Sequence, residues 1–304
     1  MKRWAPSLLL LATAACGNAE PLSRGQAAIF GGSPAPDDAA VVAVVNFAGG
    51  QCSGSLIAPR LVMTARHCVA DTAGKELEVL CGQTKFQPPD SAGAIFVVPL
   101  PELSEDPNDY RAVSELRMPE GFGDDLCGSD VVLLRLKEPL SGIPPLPVRS
   151  DSPVRAGESY SAVGFGIDEA LPDKPSGVRK RGEGYEVTCG GADCDASDVR
   201  DNEWVGTGGP CSGDSGGPAL DADGKVIGVV SRGKSACSEP VFSDVASRAA
   251  WLDAELAAVA EPEADGPDES CALSGAPRGA GARWLGVMGL LLLRRRRRTR
   301  APHV

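Results

Sequence analysis

Residues 208–218, GGPCSGDSGGP, are the stretch from which the fold and the candidate site follow. Glycines and a proline around Ser215 prevent a regular strand or helix and predict a tight turn that exposes the serine. Successive backbone N–H groups of such a turn point into one concavity. This concavity can hold the oxyanion that forms when a serine attacks a carbonyl, and each donor lowers the barrier by about 3 kcal/mol. The alternative is a glycine-rich surface turn without a chemical role.

A serine hydroxyl is a poor nucleophile at neutral pH, so it needs a base within reach and a carboxylate that orients the base. Residues 64–68, TARHC, contain His67, the only histidine outside the last two residues. Asp130 in GSDVVLLRL is the best candidate carboxylate, because it opens a strongly apolar strand at the edge of the core. A lone histidine beside a cysteine is otherwise more typical of a structural position. The prediction of a catalytic His67 therefore depends on these partners.

Short apolar runs rich in valine recur between glycine and proline breaks, among them AAVVAVVNF, AIFVVPL, DVVLLRL and KVIGVVSRG. Runs of this length and composition indicate strands, and many short strands predict an antiparallel barrel or sandwich. One helix is predicted at residues 247–260, SRAAWLDAELAAVA, with Ser247 as its N-cap. The fold class is therefore all-β with a C-terminal helix.

The charge of the chain excludes one class of partner. The formal net charge is −11, and residues 29–270 alone carry 19 basic and 40 acidic side chains. A body this acidic repels phosphate backbones and anionic lipid headgroups, so nucleic acid is not expected as a partner.

The ten cysteines are predicted to form disulfides rather than a metal site. No pair has the close spacing of zinc ligands, and only His67 could add an imidazole. Eight cysteines remain when Cys16 and Cys271 are set aside, and eight allow 105 connectivities. Neither a metal nor a cofactor is predicted.

TARHC, SDVVLLRL and GDSGGP occur in an order that resembles the chymotrypsin-like (S1, trypsin-fold) serine proteases. CSGSLIAPRLVMTARHC, AVGFG, VVSRG and the closing helix extend the resemblance over residues 29–260, although Phe165 stands where the family commonly has tryptophan. The resemblance implies a chymotrypsin-like double antiparallel β-barrel with a C-terminal helix. It also implies a serine-type endopeptidase that acts on protein or peptide substrates.

The resemblance assigns a role to each candidate residue. His67 is implied as general base and acid, Asp130 as its orienting group and Ser215 as the nucleophile. The N–H groups of Gly213 and Ser215 are implied as the oxyanion hole. The implied disulfides are Cys52–Cys68, Cys211–Cys237, Cys81–Cys127 and Cys189–Cys194.

Residues 27–32, AAIFGG, look like the activation site of the family. The resemblance implies that cleavage before Ile29 removes a propeptide, residues 17–28, and that the freed amine pairs with Asp214. Such a pair could gate the oxyanion turn, because a buried carboxylate without a cation is costly. Ala28 replaces the usual basic residue, so a protease unlike trypsin, of unknown identity, is expected to activate the chain.

The primary substrate pocket is implied at Gly209, Ser231, Arg232 and Gly233. Gly209 stands where trypsin-like members have an aspartate that selects lysine or arginine, and Arg232 stands where tryptophan is common. Glu239 is a second candidate for a negative floor. A non-basic preference is expected.

The two ends of the chain indicate export. Residues 1–16 are predicted as a signal peptide, with Cys16 either lipidated or incidental. Residues 261–270 form an acidic linker, and residues 271–304 contain Cys271, the apolar run WLGVMGLLLL and five arginines. This tail resembles myxobacterial C-terminal sorting signals, and a simple membrane anchor is the alternative. The expected location is the cell surface, at the outer membrane, or the medium.

Together these features predict an exported serine endopeptidase made as a zymogen. The alternative is a protease-like surface binding protein that has lost activity. The orientation of Arg66, a permanent cation next to His67, stays open at this point: toward the cleft it would lower the pKa of His67, and outward it would have little effect.

Overall fold

The protein folds around two β-barrels, and each is made of six antiparallel strands. The computed structural model describes residues 29, 32–48, 50–73, 79–121, 123–166, 177–194, 199–234 and 237–260. The predicted signal peptide, the propeptide before Ile29, the acidic linker and the tail lie outside the described residues. All described residues belong to one unit, Met1–Pro262.

The first barrel contains β2 (Val41–Asn46), β3 (Gly50–Ala58), β4 (Leu61–Thr64), β5 (Ile95–Val98), β6 (Arg111–Arg117) and β7 (Val132–Leu136). Its strands pair in the order β2-β3-β4-β7-β6-β5, and β5 closes the ring on β2. Valine and leucine fill the interior because β-branched and aliphatic side chains pack well on a pleated, buried surface. The valine-rich runs of the sequence are therefore the barrel strands.

The second barrel contains β8 (Ser159–Gly164), β9 (Lys180–Gly190), β10 (Glu203–Gly206), β11 (Pro218–Leu220), β12 (Val226–Lys234) and β13 (Ser238–Asp244). The order is β9-β10-β13-β12-β11-β8, pairing of β8 with β9 closes it, and the short β1 (Ser33–Pro34) lies on β9. Tyr160, Trp204 and Phe242 meet in the core, with the last two rings stacked 4.0 Å apart. These two barrels confirm the predicted chymotrypsin-like architecture.

The chain ends its described part in α1 (Ala249–Ala260), after a 3₁₀ turn at Ala246–Arg248. Leu252 is fully buried, and Trp251, Leu256 and Val259 pack on the same core cluster. The predicted cap is wrong, because the carboxylate of Asp244 accepts the N–H of Ser247 at 2.7 Å. Among the described residues no helix is long and apolar enough to cross a membrane.

Four disulfides brace the described structure: Cys52–Cys68, Cys81–Cys127, Cys189–Cys194 and Cys211–Cys237. They are the pairs that the family resemblance implied. The first joins β3 to the turn that carries His67, and the last joins the turn before Ser215 to the start of β13. Both barrels thus have a covalent tie at the candidate site.

Candidate active site

A buried carboxylate organises the candidate site. Asp130 lies two residues before β7 and has no exposed surface. Its Oδ1 accepts the backbone N–H of His67 at 2.9 Å, and its Oδ2 lies 2.7 Å from Nδ1 of the same ring. The hydroxyl of Ser231 donates to Oδ2 at 2.7 Å. These three contacts satisfy a carboxylate that would otherwise be costly to bury.

The same contacts shift the pKa of both partners. Burial lowers the pKa of His67, but the negative charge and hydrogen bond of Asp130 outweigh burial, so the net shift is upward. Burial raises the pKa of Asp130, but the charge of His67 and the hydrogen bonds of His67 and Ser231 outweigh it, so the net shift is downward. Asp130 therefore stays ionised and favours a protonated imidazole.

His67 lies in a 3₁₀ turn, Arg66–Cys68, directly after β4. Cys68 anchors this turn through its disulfide to Cys52 on β3, and the carbonyl of Cys68 accepts an amide N–H of Asn46 at 3.1 Å. Because the turn is held from two sides, Nδ1 of the ring is directed at Asp130. The side chain of His67 stays 25% exposed, so the ring remains accessible to solvent.

The turn that carries Ser215 packs on the first barrel. The carbonyl of Ser215 accepts the N–H of Ser53 at 2.8 Å. At Gly216, which has a φ of 81°, a Cβ atom would lie 2.0 Å from Oγ1 of Thr64 and 2.4 Å from the carbonyl of Ser53. Only glycine allows this approach. Ser215 is thereby held against the strand that leads into His67.

Ser53, which sequence reasoning missed, links this turn to both barrels. Its buried hydroxyl donates to the carbonyl of Gly213 at 3.0 Å and accepts the N–H of Phe165 at 2.9 Å. Gly213 has a φ of 88°. Ser53 therefore ties the turn that contains Gly213 and Ser215 to Phe165, the residue after β8. The role of the Gly213 and Ser215 N–H groups as oxyanion donors stays a prediction.

Asp214 is a second fully buried carboxylate. It accepts the N–H of Ile29 at 3.1 Å, that of Gly166 at 2.8 Å and that of Cys211 at 2.9 Å. Ile29 is itself fully buried in the core of the second barrel. Burial raises the pKa of Asp214 to about 6, although these backbone hydrogen bonds oppose the shift. The predicted partners Ile29 and Asp214 are therefore in contact, here through a backbone amide.

A cavity of about 290 Å³ opens beside Ser215, lined by residues 210–212, 215, 230–234 and 237. Ser231, Arg232 and Gly233 line it as predicted, whereas Gly209 does not. Gly209 is buried, and a Cβ atom there would lie 2.8 Å from the ring of Tyr185. Glu239 forms an exposed ion pair with Lys234, so it is not a buried negative floor.

The structure also gives the orientation of Arg66. Its guanidinium stacks 4.3 Å above the ring of Phe86 and donates to the carbonyl of Gly123 at 2.8 Å. Burial lowers the pKa of Arg66, while the charges of Asp130 and Asp124 oppose that shift. The guanidinium of Arg66 thus contacts Phe86 and Gly123 and is not directed at the ring of His67.

One cluster of potential metal ligands lies in the described part of the chain, formed by Cys52, His67 and Cys68 with ligand atoms within 4.8 Å. The two sulfur atoms are bonded to each other. Because thiolates and not disulfides bind zinc, this cluster is not a zinc site.

The chain is similar to known proteins of one family. The family model described as Trypsin matches residues 29–252. Glucanase inhibitor protein 4 of Phytophthora infestans is 32% identical over 211 residues, which cover 64% of this chain and 75% of that protein. Glandular kallikrein-10 of Rattus norvegicus is 28% identical over 272 residues, which cover 81% and 96%. Human heparin binding protein has a similar fold, with a TM-score of 0.53 and 24% identity over 74% of this chain and 95% of its own.

The pKa of Asp214 predicts a pH-dependent stability for the uncleaved chain. Because folding raises the pKa from 3.8 to about 6, the stability that the protonated form contributes is complete below pH 3.8 and is lost as pH rises through about 6. The loss is about 3 kcal/mol. Denaturant unfolding of a Ser215→Ala chain across this pH range measures it, with Asp214→Asn as the control that removes the titration. Parallel curves for the two proteins would contradict the prediction.

Proposed function

The chain belongs to the trypsin family, and we propose that it is an exported serine endopeptidase. Members of this family are serine endopeptidases. The observation that carries the proposal is the buried Asp130 bonded to Nδ1 of His67, next to a Ser215 turn that packs on the residues leading into His67. In the proposal Ser215 is the nucleophile, His67 the base and Asp130 the orienting carboxylate.

The proposed reaction proceeds in two steps. Oγ of Ser215 attacks the scissile carbonyl carbon while its proton passes to Nε2 of His67, and the carbonyl oxygen becomes an oxyanion held by the N–H groups of Gly213 and Ser215. The protonated ring then gives its proton to the leaving amine as the C–N bond breaks, leaving an ester on Ser215. Water, deprotonated by His67, hydrolyses this ester and restores the serine.

Asp130 has two tasks in this scheme. It keeps the proton of the neutral ring on Nδ1, so that Nε2 faces the serine as an acceptor, and it stabilises the imidazolium that forms. The raised pKa of His67 supports the second task, because it reports a preference for the charged ring. The lowered pKa of Asp130 means that the proton stays on His67.

The contact between Ile29 and Asp214 supports a zymogen mechanism. In the continuous chain the nitrogen of Ile29 is an amide that donates one hydrogen bond to a carboxylate with a raised pKa. Cleavage before Ile29 would place an ammonium 3.1 Å from that carboxylate and compensate its charge. We propose that this change stabilises the turn at Gly213 and Ser215, and that an unknown protease able to cut after Ala28 performs it.

The cavity beside Ser215 supports a non-basic primary preference. Gly209 provides no carboxylate, the ring of Tyr185 occupies the space that its side chain would need, and Glu239 is paired with Lys234 at the surface. A buried negative charge that would select lysine or arginine is thus absent from the described lining. We propose that neutral side chains occupy this cavity.

The termini complete the proposal. Residues 1–16 would direct export, and residues 271–304 would hold the catalytic body at the membrane or engage sorting machinery, through either a processed tail or a retained anchor. Cys16 would then lie on the part of the chain that activation removes. Four disulfides in the body agree with an oxidising compartment.

A binding protein without activity is the competing function. One observation favours it, namely the 32% identity to a protein named as a glucanase inhibitor. The retention of His67, Asp130 and Ser215 favours the enzyme, since an inactive binding protein has no need of all three.

Covalent labelling tests the proposal. A chain carrying an engineered cleavage site directly before Ile29 is expected, once cut, to react with an organophosphonate probe at Ser215, because the probe requires an activated serine. Ser215→Ala should abolish labelling, while Ser114→Ala, an exposed serine on β6, should not change it. If the correctly cut wild type stays unlabelled, the binding-protein function takes its place.

Cleavage of a peptide library tests the preference of the cavity. The cut protein is expected to cleave after neutral residues and to disfavour lysine and arginine, because no buried acid pairs with them. The measurement is the distribution of residues on the amino side of each cut, read by mass spectrometry. Enrichment of lysine or arginine at that position would contradict the expected preference.

A further inference from the structure

Side-chain hydrogen bonds connect Asp130 through Ser231 to a buried ion pair between Arg232 and Glu203. The proposed function does not use this ion pair. We propose that Arg232 is a positioning residue for His67: held by Glu203, it orients the Ser231 hydroxyl toward Asp130 and places a permanent positive charge beside the imidazole–carboxylate pair.

Arg232 on β12 and Glu203 on β10 form a two-pronged, buried ion pair. Nη1 and Nη2 of Arg232 donate to the two oxygens of Glu203 at 2.6 and 2.8 Å. The side chain of Glu203 is fully buried, and that of Arg232 is 11% exposed. Although Arg232 lines the cavity beside Ser215, its guanidinium faces the protein interior. Its charge is therefore not presented to a substrate.

Glu203 connects this pair to the loop that carries Asp130. Its Oε1 accepts the N–H of Gly128 at 2.8 Å, and its Oε2 accepts the N–H of Arg200 at 3.0 Å. Gly128 precedes Asp130 by two residues and has a φ of 84°, a conformation that suits glycine. One carboxylate thus holds both the cation and the backbone that positions Asp130.

The direction of the hydrogen bonds follows from the chemistry of the groups. A guanidinium can only donate, so the 3.3 Å contact from Nη1 of Arg232 to Oγ of Ser231 uses the hydroxyl as an acceptor. The single hydroxyl proton is then directed at the carboxylate of Asp130, at 2.7 Å. Donation therefore runs from Arg232 through Ser231 to Asp130, and His67 donates to the same carboxylate from its other side.

The charge of Arg232 acts against that of Asp130. The negative charge of Asp130 raises the pKa of His67, and the positive charge of Arg232 lowers it. Arg232 therefore limits how strongly the ring of His67 holds a proton. This limit matters because His67 must act as a base near neutral pH in the proposed function. Charged groups from several elements surround the pair formed by His67 and Asp130: Arg232 on β12, Glu203 on β10, Arg248 before α1, and Arg66, whose guanidinium stacks on Phe86.

Titration of His67 by NMR tests this inference without any need for activity. The chain has two histidines, and His303→Gln assigns the signals of the full chain. In a Ser215→Ala background, which prevents self-cleavage, Arg232→Gln is expected to raise the pKa of His67 by about half a unit to one unit. Glu203→Gln is expected to lower it, because the charge of Arg232 is then uncompensated.

The opposite signs are the decisive result. A merely structural pair would shift the pKa of His67 in the same direction in both variants, or in neither, and that outcome would overturn the inference. Arg66→Gln is the matched control: it removes an arginine adjacent in sequence, but one that stacks on Phe86, and should leave the titration within about 0.2 units. If Arg232→Gln does not fold, Glu203→Gln decides alone, and an unchanged or raised pKa overturns the inference.

The catalytic meaning of Arg232 rests on the proposed function, but the titration does not. Probe labelling without the opposite shifts would remove only the role of Arg232. The opposite shifts without labelling would leave the electrostatic role intact and remove the proposed function.

Discussion

The contact between the Ser215 turn and the first barrel is the interaction on which the site depends. Ser215 belongs to one barrel and His67 to the other, so the proposed pairing of the two side chains requires a fixed contact between the barrels. Ser53 provides this contact with three hydrogen bonds. Its N–H donates to the carbonyl of Ser215, its hydroxyl donates to the carbonyl of Gly213, and the N–H of Phe165 donates to its hydroxyl. Gly216 completes the contact, because any side chain there would collide with Thr64. The bare glycine backbone is therefore a condition for assembly of the site.

Three buried carboxylates surround this contact, and each is compensated differently. Asp130 faces an imidazole that can gain a proton, and Glu203 faces a permanent guanidinium. Asp214 accepts three backbone N–H groups, and the charge of Lys180 acts on it as a smaller effect. The third arrangement is the least favourable, as the rise of its pKa to about 6 indicates. Because burial of a weakly compensated carboxylate costs free energy, we propose Asp214 as the point at which a new amino terminus would have the greatest effect. The difference among these carboxylates connects the fold to the proposed activation.

The sequence predicted those parts of the site that local chemistry determines. The turn around Ser215 follows from its glycines, and the strands from valine-rich runs between breaks. Ser53, Ser231 and Glu203 gave no local signal, because their roles arise from contacts with residues about 30 to 160 positions away. The orientation of Arg66 depended on Phe86 in the same way. Ser247 was mistaken for a helix cap because the sequence does not reveal the 3₁₀ turn at Ala246–Arg248, which precedes α1. Ser247 lies within this turn, and Asp244 accepts its N–H. The sequence also did not reveal that the ring of Tyr185, on β9, packs against Gly209.

The most direct test of this account compares two buried serines on the same strand. Ser53 bonds to both Gly213 and Phe165, whereas Oγ of Ser55 has no partner among the described residues. Ser53→Ala should slow phosphonate labelling of Ser215 by about tenfold or more, because about 1.4 kcal/mol of lost preorganisation corresponds to that factor. Ser55→Ala should label at the rate of the unmodified protein. Equal labelling rates for the two variants would contradict the claim that the contact at Ser53 assembles the site.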